Sequence, residues 1–140
     1  MGIRMSLRSA DFSGMYRLIG VVLLSSCSIS GTVLLHNGSG GPVEVGVSDR
    51  RYDLAHGEAT EMEIDPIIGG QYFSVRMSNE RFCYQMPTVD PHWIWRGRVL
   101  ALLDPSGRIY LSLPKSSEES YFKNVPATQP TDFPLVPTAC

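Results

Sequence analysis

Residues 42–48, PVEVGVS, set Val43, Val45 and Val47 on one side of an extended chain and Glu44 and Gly46 on the other. Strand side chains point alternately to opposite faces, so this stretch has one face to bury and one to wet. The same period of two recurs through the middle of the chain, and no sustained apolar repeat at three and four residues competes with it. GTVLLHN (31–37) reads as the first strand, and Asn37, Gly38, Gly40 and Gly41 after it suit a loop with positive φ. ATEMEI (59–64) directs Thr60, Met62 and Ile64 inward. QYFSVRMS (71–78) sets Tyr72, Ser74, Arg76 and Ser78 against Phe73, Val75 and Met77, and RFCYQM follows across Asn79-Glu80 as a hairpin partner. The most legible unit is RVLALLD and RIYLSLP joined by DPSG, with Pro105 at the second turn position and Gly107 at the fourth, as a type I turn with a following bulge prefers.

Seven or eight short strands separated by Gly and Pro turns predict an all-β fold: a small antiparallel β-sandwich, immunoglobulin-like or transthyretin-like, with a small barrel as the alternative. The sandwich domain spans 31–113. From Pro114 the character changes, with Pro126, Pro130, Pro134 and Pro137 punctuating a Ser- and Thr-rich stretch. This gives an extended, Pro-rich C-terminal tail over 114–140, with one helical turn expected at SSEESYF (116–122). Phe133, Leu135 and Val136 are too apolar for a free end, so DFPLVP is expected to pack on the domain.

The front of the chain obeys a different logic. LIGVVLLSSCS (18–28) follows Arg4, Arg8 and Arg17 with Asp11 as the single acid, the order of a charged n-region and an apolar h-region. At about 1.5 Å rise per residue its seven apolar-run residues cover only about a third of a bilayer core of about 30 Å, too little for a span. Leu24-Ser25-Ser26-Cys27 resembles the lipobox of bacterial lipoprotein precursors. That resemblance implies a signal peptide over 1–26, a diacylglyceryl thioether on Cys27, cleavage before it and acylation, typically with palmitate-like chains, of the new amino terminus. Residues 27–30 then form a short tether, and Ser28 in the second mature position implies the outer membrane of a Gram-negative cell, with the domain facing the periplasm. Translation starts at Met1 or Met5, because Met15 would leave only a stub of the signal.

Acylation of Cys27 leaves Cys83 and Cys140 in an oxidising compartment. A disulfide between them closes 57 residues and stabilises the fold by roughly 4 kcal/mol on the chain-entropy estimate. The alternative is two thiols, Cys83 buried within RFCYQM and Cys140 at a frayed end. Removing residues 1–26 takes away three arginines and one aspartate, leaving 9 basic and 13 acidic side chains in a single small domain. Nucleic acid is not an expected partner of so acidic a chain.

Chemistry is sparsely signalled. His36, His56 and His92 share no metal-ligand spacing and no paired-cysteine motif accompanies them, so neither a metal nor a cofactor is expected. Glu61 and Glu63 occupy one strand face, where acids opposite Met62 and Ile64 normally mark the solvent side rather than a glycosidase pair. Trp93, Trp95, Arg96 and Arg98 combine the residue types enriched at interaction hot spots, and Trp93 and Trp95 share a face if the chain is extended. The expectation is a non-enzymatic envelope lipoprotein that binds or supports a partner protein. The rival is a small periplasmic hydrolase or ligand-binding protein in which Asp90 orients His92 beside Trp93 and Trp95.

Overall fold

A computed structural model describes residues 31–113 and 125–140. The lipobox with Cys27, residue Pro114 and the helical turn expected at 116–122 lie outside the described residues. Among the described residues nine strands form: β1 Thr32–Asn37, β2 Val43–Val47, β3 Arg50–Leu54, β4 Ala59–Met62, β5 Tyr72–Met77, β6 Glu80–Gln85, β7 Ile94–Trp95, β8 Arg98–Leu103 and β9 Ile109–Ser112. They build two sheets, one ordered β4-β1-β8 with β7 and β9 sharing the far edge of β8, the other ordered β3-β2-β5-β6. The protein is a small β-sandwich. Two separate sheets replace the barrel alternative, and β1 and β2 lie in opposite sheets, unlike the immunoglobulin order in which the first two strands share one.

Alternation produces the core. Val33 and Leu35 of β1, with Val99, Ala101 and Leu103 of β8, face Val43, Val45 and Val47 of β2 and Phe73 and Val75 of β5, all buried. Every pair within the sheets is antiparallel except β1 with β8, which run parallel in register from Thr32↔Arg98 to Asn37↔Leu103. The Asp104–Gly107 turn forms as expected: the Asp104 carboxylate accepts the Ser106 and Arg108 amides, each at 2.9 Å, and Gly107 takes φ of 85°. Its carbonyl accepts the hydroxyl of buried Tyr84 at 2.6 Å, and desolvation there pushes the phenol pKa upward.

Four local expectations are corrected. RRYDL, unread as a strand because Arg50, Arg51 and Asp53 break the apolar alternation, forms the edge strand β3, where charge discourages pairing with other chains. The β5–β6 turn is Ser78-Asn79 rather than Asn79-Glu80, since both turn residues adopt positive φ (49° and 68°) and Glu80 already pairs with Met77. After β1, only Gly40 of the four loop candidates has positive φ. Asn37 instead ends the strand fully buried, its amide donating to the carbonyls of Gly41 and Leu54.

The described part of the tail closes one side of the sandwich. Leu135 exchanges both backbone hydrogen bonds with Ile109 at the β9 edge, and Thr138 does so with Cys83 at the β6 edge. Farther along β9 the Gln129 side chain acts as a strand substitute: Oε1 accepts the Leu111 amide at 2.8 Å while Nε2 donates to the Leu111 carbonyl at 3.0 Å. Leu135 is buried and Phe133 packs on the core, whereas Val136 points outward at 60% exposure, against expectation, because its neighbour took the inward position. The sulfurs of Cys83 and Cys140 are bonded, so the tail ends at a covalent bridge.

Candidate functional site

The residues singled out in the sequence do not all converge. Trp93 closes a short 3-10 turn over Pro91–Trp93, and it and Ile94 both pack against the core. The turn breaks the alternation that would have put Trp93 and Trp95 on one face. Trp95, in β7, carries the Arg96 guanidinium 4.5 Å from its ring centroid, on a two-residue turn in which Arg96 and Gly97 both have positive φ. Arg98 pairs with Trp95 across β7 and β8, so their side chains share a sheet face, and its guanidinium lies 3.7 Å from Glu61. Trp95 is thus brought together with Arg96 and Arg98, while Trp93 packs against the core.

Asp90 and His92 meet through the backbone. The Asp90 carboxylate accepts the His92 amide at 2.8 Å, capping the 3-10 turn, and the imidazole lies edge-on to Trp93 with centroids 6.4 Å apart. Both residues, with Asp132, line an open cleft of about 410 Å³ between this turn and the tail. Among the described residues no hydrogen bond joins the His92 imidazole to a carboxylate. Glu61 accepts the Thr32 hydroxyl at 2.6 Å, and Glu63 pairs with Arg50 at 2.8 Å, so the two acids serve different neighbours. Among the described residues no three His, Cys, Asp or Glu side chains cluster as metal ligands, and no helix is long and apolar enough to cross a membrane.

A better-formed feature lies on the outer face of the β3-β2-β5-β6 sheet. The register aligns Arg51, Gly46, Ser74 and Cys83 in one row across the four strands and Asp53, Glu44, Arg76 and Arg81 in the next. Gly46 lowers the middle of the first row: a methyl group there would come within 2.9 Å of the Ser74 hydroxyl. The result is an open trough of about 440 Å³, floored by Gly46 and Ser74 and walled by Arg50, Arg51, Tyr72 and Arg81. Glu44 holds Arg51 at 2.7 Å, and Arg81 reaches the Ser74 hydroxyl at 3.5 Å. Each guanidinium keeps further N–H donors for a ligand, and Tyr72, 70% exposed, offers an aromatic wall.

This chemistry suits recognition. Forked guanidinium donors match carboxylate or carbonyl acceptors, and a flat ring beside them adds contact at small entropic cost. The Ser74 hydroxyl accepts from Arg81, and the Glu44 carboxylate of the adjoining row is bound to Arg51. The trough was legible only after β3 was recognised, because Arg51 belongs to the strand that the sequence disguises. Comparison with known protein families, with curated proteins and with solved structures found no match to this chain.

Proposed function

We propose that this protein is a lipid-anchored component of the bacterial envelope, held at the outer membrane through Cys27 and facing the periplasm, that binds an envelope partner without catalysing a reaction. The anchoring half rests on the lipobox resemblance at Leu24–Cys27 and the charged, apolar order ahead of it. The binding half is carried by the Arg51–Gly46–Ser74 trough, whose donors and aromatic wall fit an extended segment bearing carboxylate or carbonyl groups. An intrachain bridge from Cys83 to Cys140 accords with an oxidising compartment.

Two measurements test the two halves. Intact mass of the native membrane product should begin at Cys27 and include glycerolipid and acyl mass, and Cys27→Ala should abolish both; an unmodified mass beginning upstream refutes anchoring. A photo-crosslinking amino acid replacing Ser74 in living cells should yield one discrete protein adduct that disappears with Arg51→Glu and Arg81→Glu. An adduct indifferent to these charge reversals places binding elsewhere.

A further inference from the structure

Three large hydrophobic side chains are exposed among the described residues: Ile68 at 77%, Tyr72 at 70% and Val136 at 60%. They gather at one end. Ile68 sits on the 65–70 loop, where the Asp65 carboxylate accepts the amides of Ile67 and Ile68, and Tyr72 opens β5 directly after that loop. Tyr72 pairs with Gln85 in β6, and continuing the Thr138–Cys83 bridge by two residues sets Val136 across from Gln85 on its other side. Gly70, Gln85 and Val136 line a common depression.

The described chain enters at the same end. The Thr32 amide donates to the Gly97 carbonyl at 2.9 Å, and a methyl group on Gly31 would lie 3.0 Å from Pro66 Cδ. Gly31 is therefore wedged between the 65–70 loop and the Arg96-Gly97 turn. Cys27 precedes it by four residues, a reach of at most about 14 Å even when fully extended. A lipid on Cys27 cannot leave this end far from the bilayer.

The polar groups here are mostly satisfied internally. Arg50 pairs with Glu63, Arg98 with Glu61, and Asp65 with its own loop amides, while Asp49 on the neighbouring β2–β3 turn and Asp132, in the depression with Gly70 and Val136, are exposed acids among the described residues. Among the described residues no carboxylate pairs with Arg96, which lies over the Trp95 ring, an amphipathic pair of the sort that settles at lipid headgroups.

We propose that this end of the sandwich, with Ile68, Tyr72 and Val136 at its rim and Arg96 over Trp95 beside them, docks on the phospholipid surface at headgroup depth. The inference rests on the anchoring at Cys27 and goes beyond it, because an acyl anchor alone would leave the domain free to tumble. Once anchored, docking is an intramolecular step, so a few shallow apolar contacts suffice where they would not recruit a free protein. The trough then opens sideways along the membrane, on a sheet face that meets the docked end at Tyr72.

The test uses the full acylated protein in vesicles of phosphatidylethanolamine and phosphatidylglycerol whose acyl chains are brominated near the headgroup. Fluorescence added by Ile68→Trp should be quenched, and that added by Ala55→Trp, on the exposed β3–β4 connection at the opposite end, should not. Ile68→Asp with Val136→Asp should abolish quenching of the native tryptophans while the protein still floats with the vesicles and melts as before. Equal quenching at the two ends, or none at Ile68 in a sample whose mass shows the lipid, overturns docking and leaves anchoring intact. Quenching that vanishes as protein is diluted among lipid indicates contact between copies and also overturns docking. A native product lacking lipid on Cys27 removes anchoring and this inference together.

Discussion

Replacing Gln129 by Ala tests whether one side chain holds the β9 edge and the returning tail together. The amide makes three hydrogen bonds, to the Leu111 amide at 2.8 Å and to the Leu111 and Pro126 carbonyls at 3.0 Å each. Leu111 is fully buried, so truncation strips partners from both of its backbone groups, a loss of about 1 to 3 kcal/mol for each group that stays dry. Gln129 is itself half-buried, and water entering the vacated space recovers part of the loss. The net expectation is about 2 kcal/mol, or roughly 8 °C in Tm for a domain of this size. Thermal melts followed by circular dichroism measure the total, and hydrogen exchange at the Leu111 amide localises it. Gln129→Glu separates the contributions, because it keeps an acceptor for the Leu111 amide and loses both donors. A melt unchanged to within about 0.5 kcal/mol, with Leu111 still protected, would mean that β9 does not depend on this substitute strand.

Further expectations concern the bridge, a turn and pH. Reduction, or Cys83→Ala with Cys140→Ala, should lower the urea midpoint by the equivalent of roughly 4 kcal/mol; an unchanged midpoint would deny the bridge its part in holding the tail. Asn79→Gly should stabilise by about 0.5 kcal/mol, because glycine adopts the positive φ of this turn without strain, and chemical denaturation reads the sign. Burial, with a smaller contribution from nearby His56, lowers the His36 pKa against an opposing hydrogen bond to the Gly57 backbone. The unfolded chain therefore binds the proton first: this part of the stability is present above the ordinary histidine pKa, falls as pH drops below it, and levels off once the folded-state pKa is passed. Urea melts across that window should show the decline, and His36→Gln should flatten it; an identical slope in both proteins assigns the effect to other groups.

How much could be read in advance depended on what each residue had to do. Where one face of a strand is buried and the other wet, as at Val43, Val45 and Val47, the pattern prints the structure directly. The Asp104–Gly107 turn was equally legible, because its chemistry is local. β3 was not, since an edge strand satisfies its neighbour through backbone bonds and can carry Arg50, Arg51 and Asp53 outward. Trp93 and Trp95 misled for another reason: the Asp90 cap winds the chain into a 3-10 turn before β7, and a turn erases the period on which their shared face depended. The trough was invisible because it joins Arg51, Gly46, Ser74 and Arg81 from four strands, and register between distant strands is not written in any one of them. The parallel partnership of β1 with β8 was hidden for the same reason.

That partnership has a mechanical side. β1 is an interior strand, held by β4 on one flank and by six residue pairs with β8 on the other. A tug on the chain ahead of Gly31, directed along the strand, loads both ladders in shear, so their hydrogen bonds share the force instead of yielding one after another as in a peeled hairpin. Such a domain could be dragged by its leading end without unravelling from it.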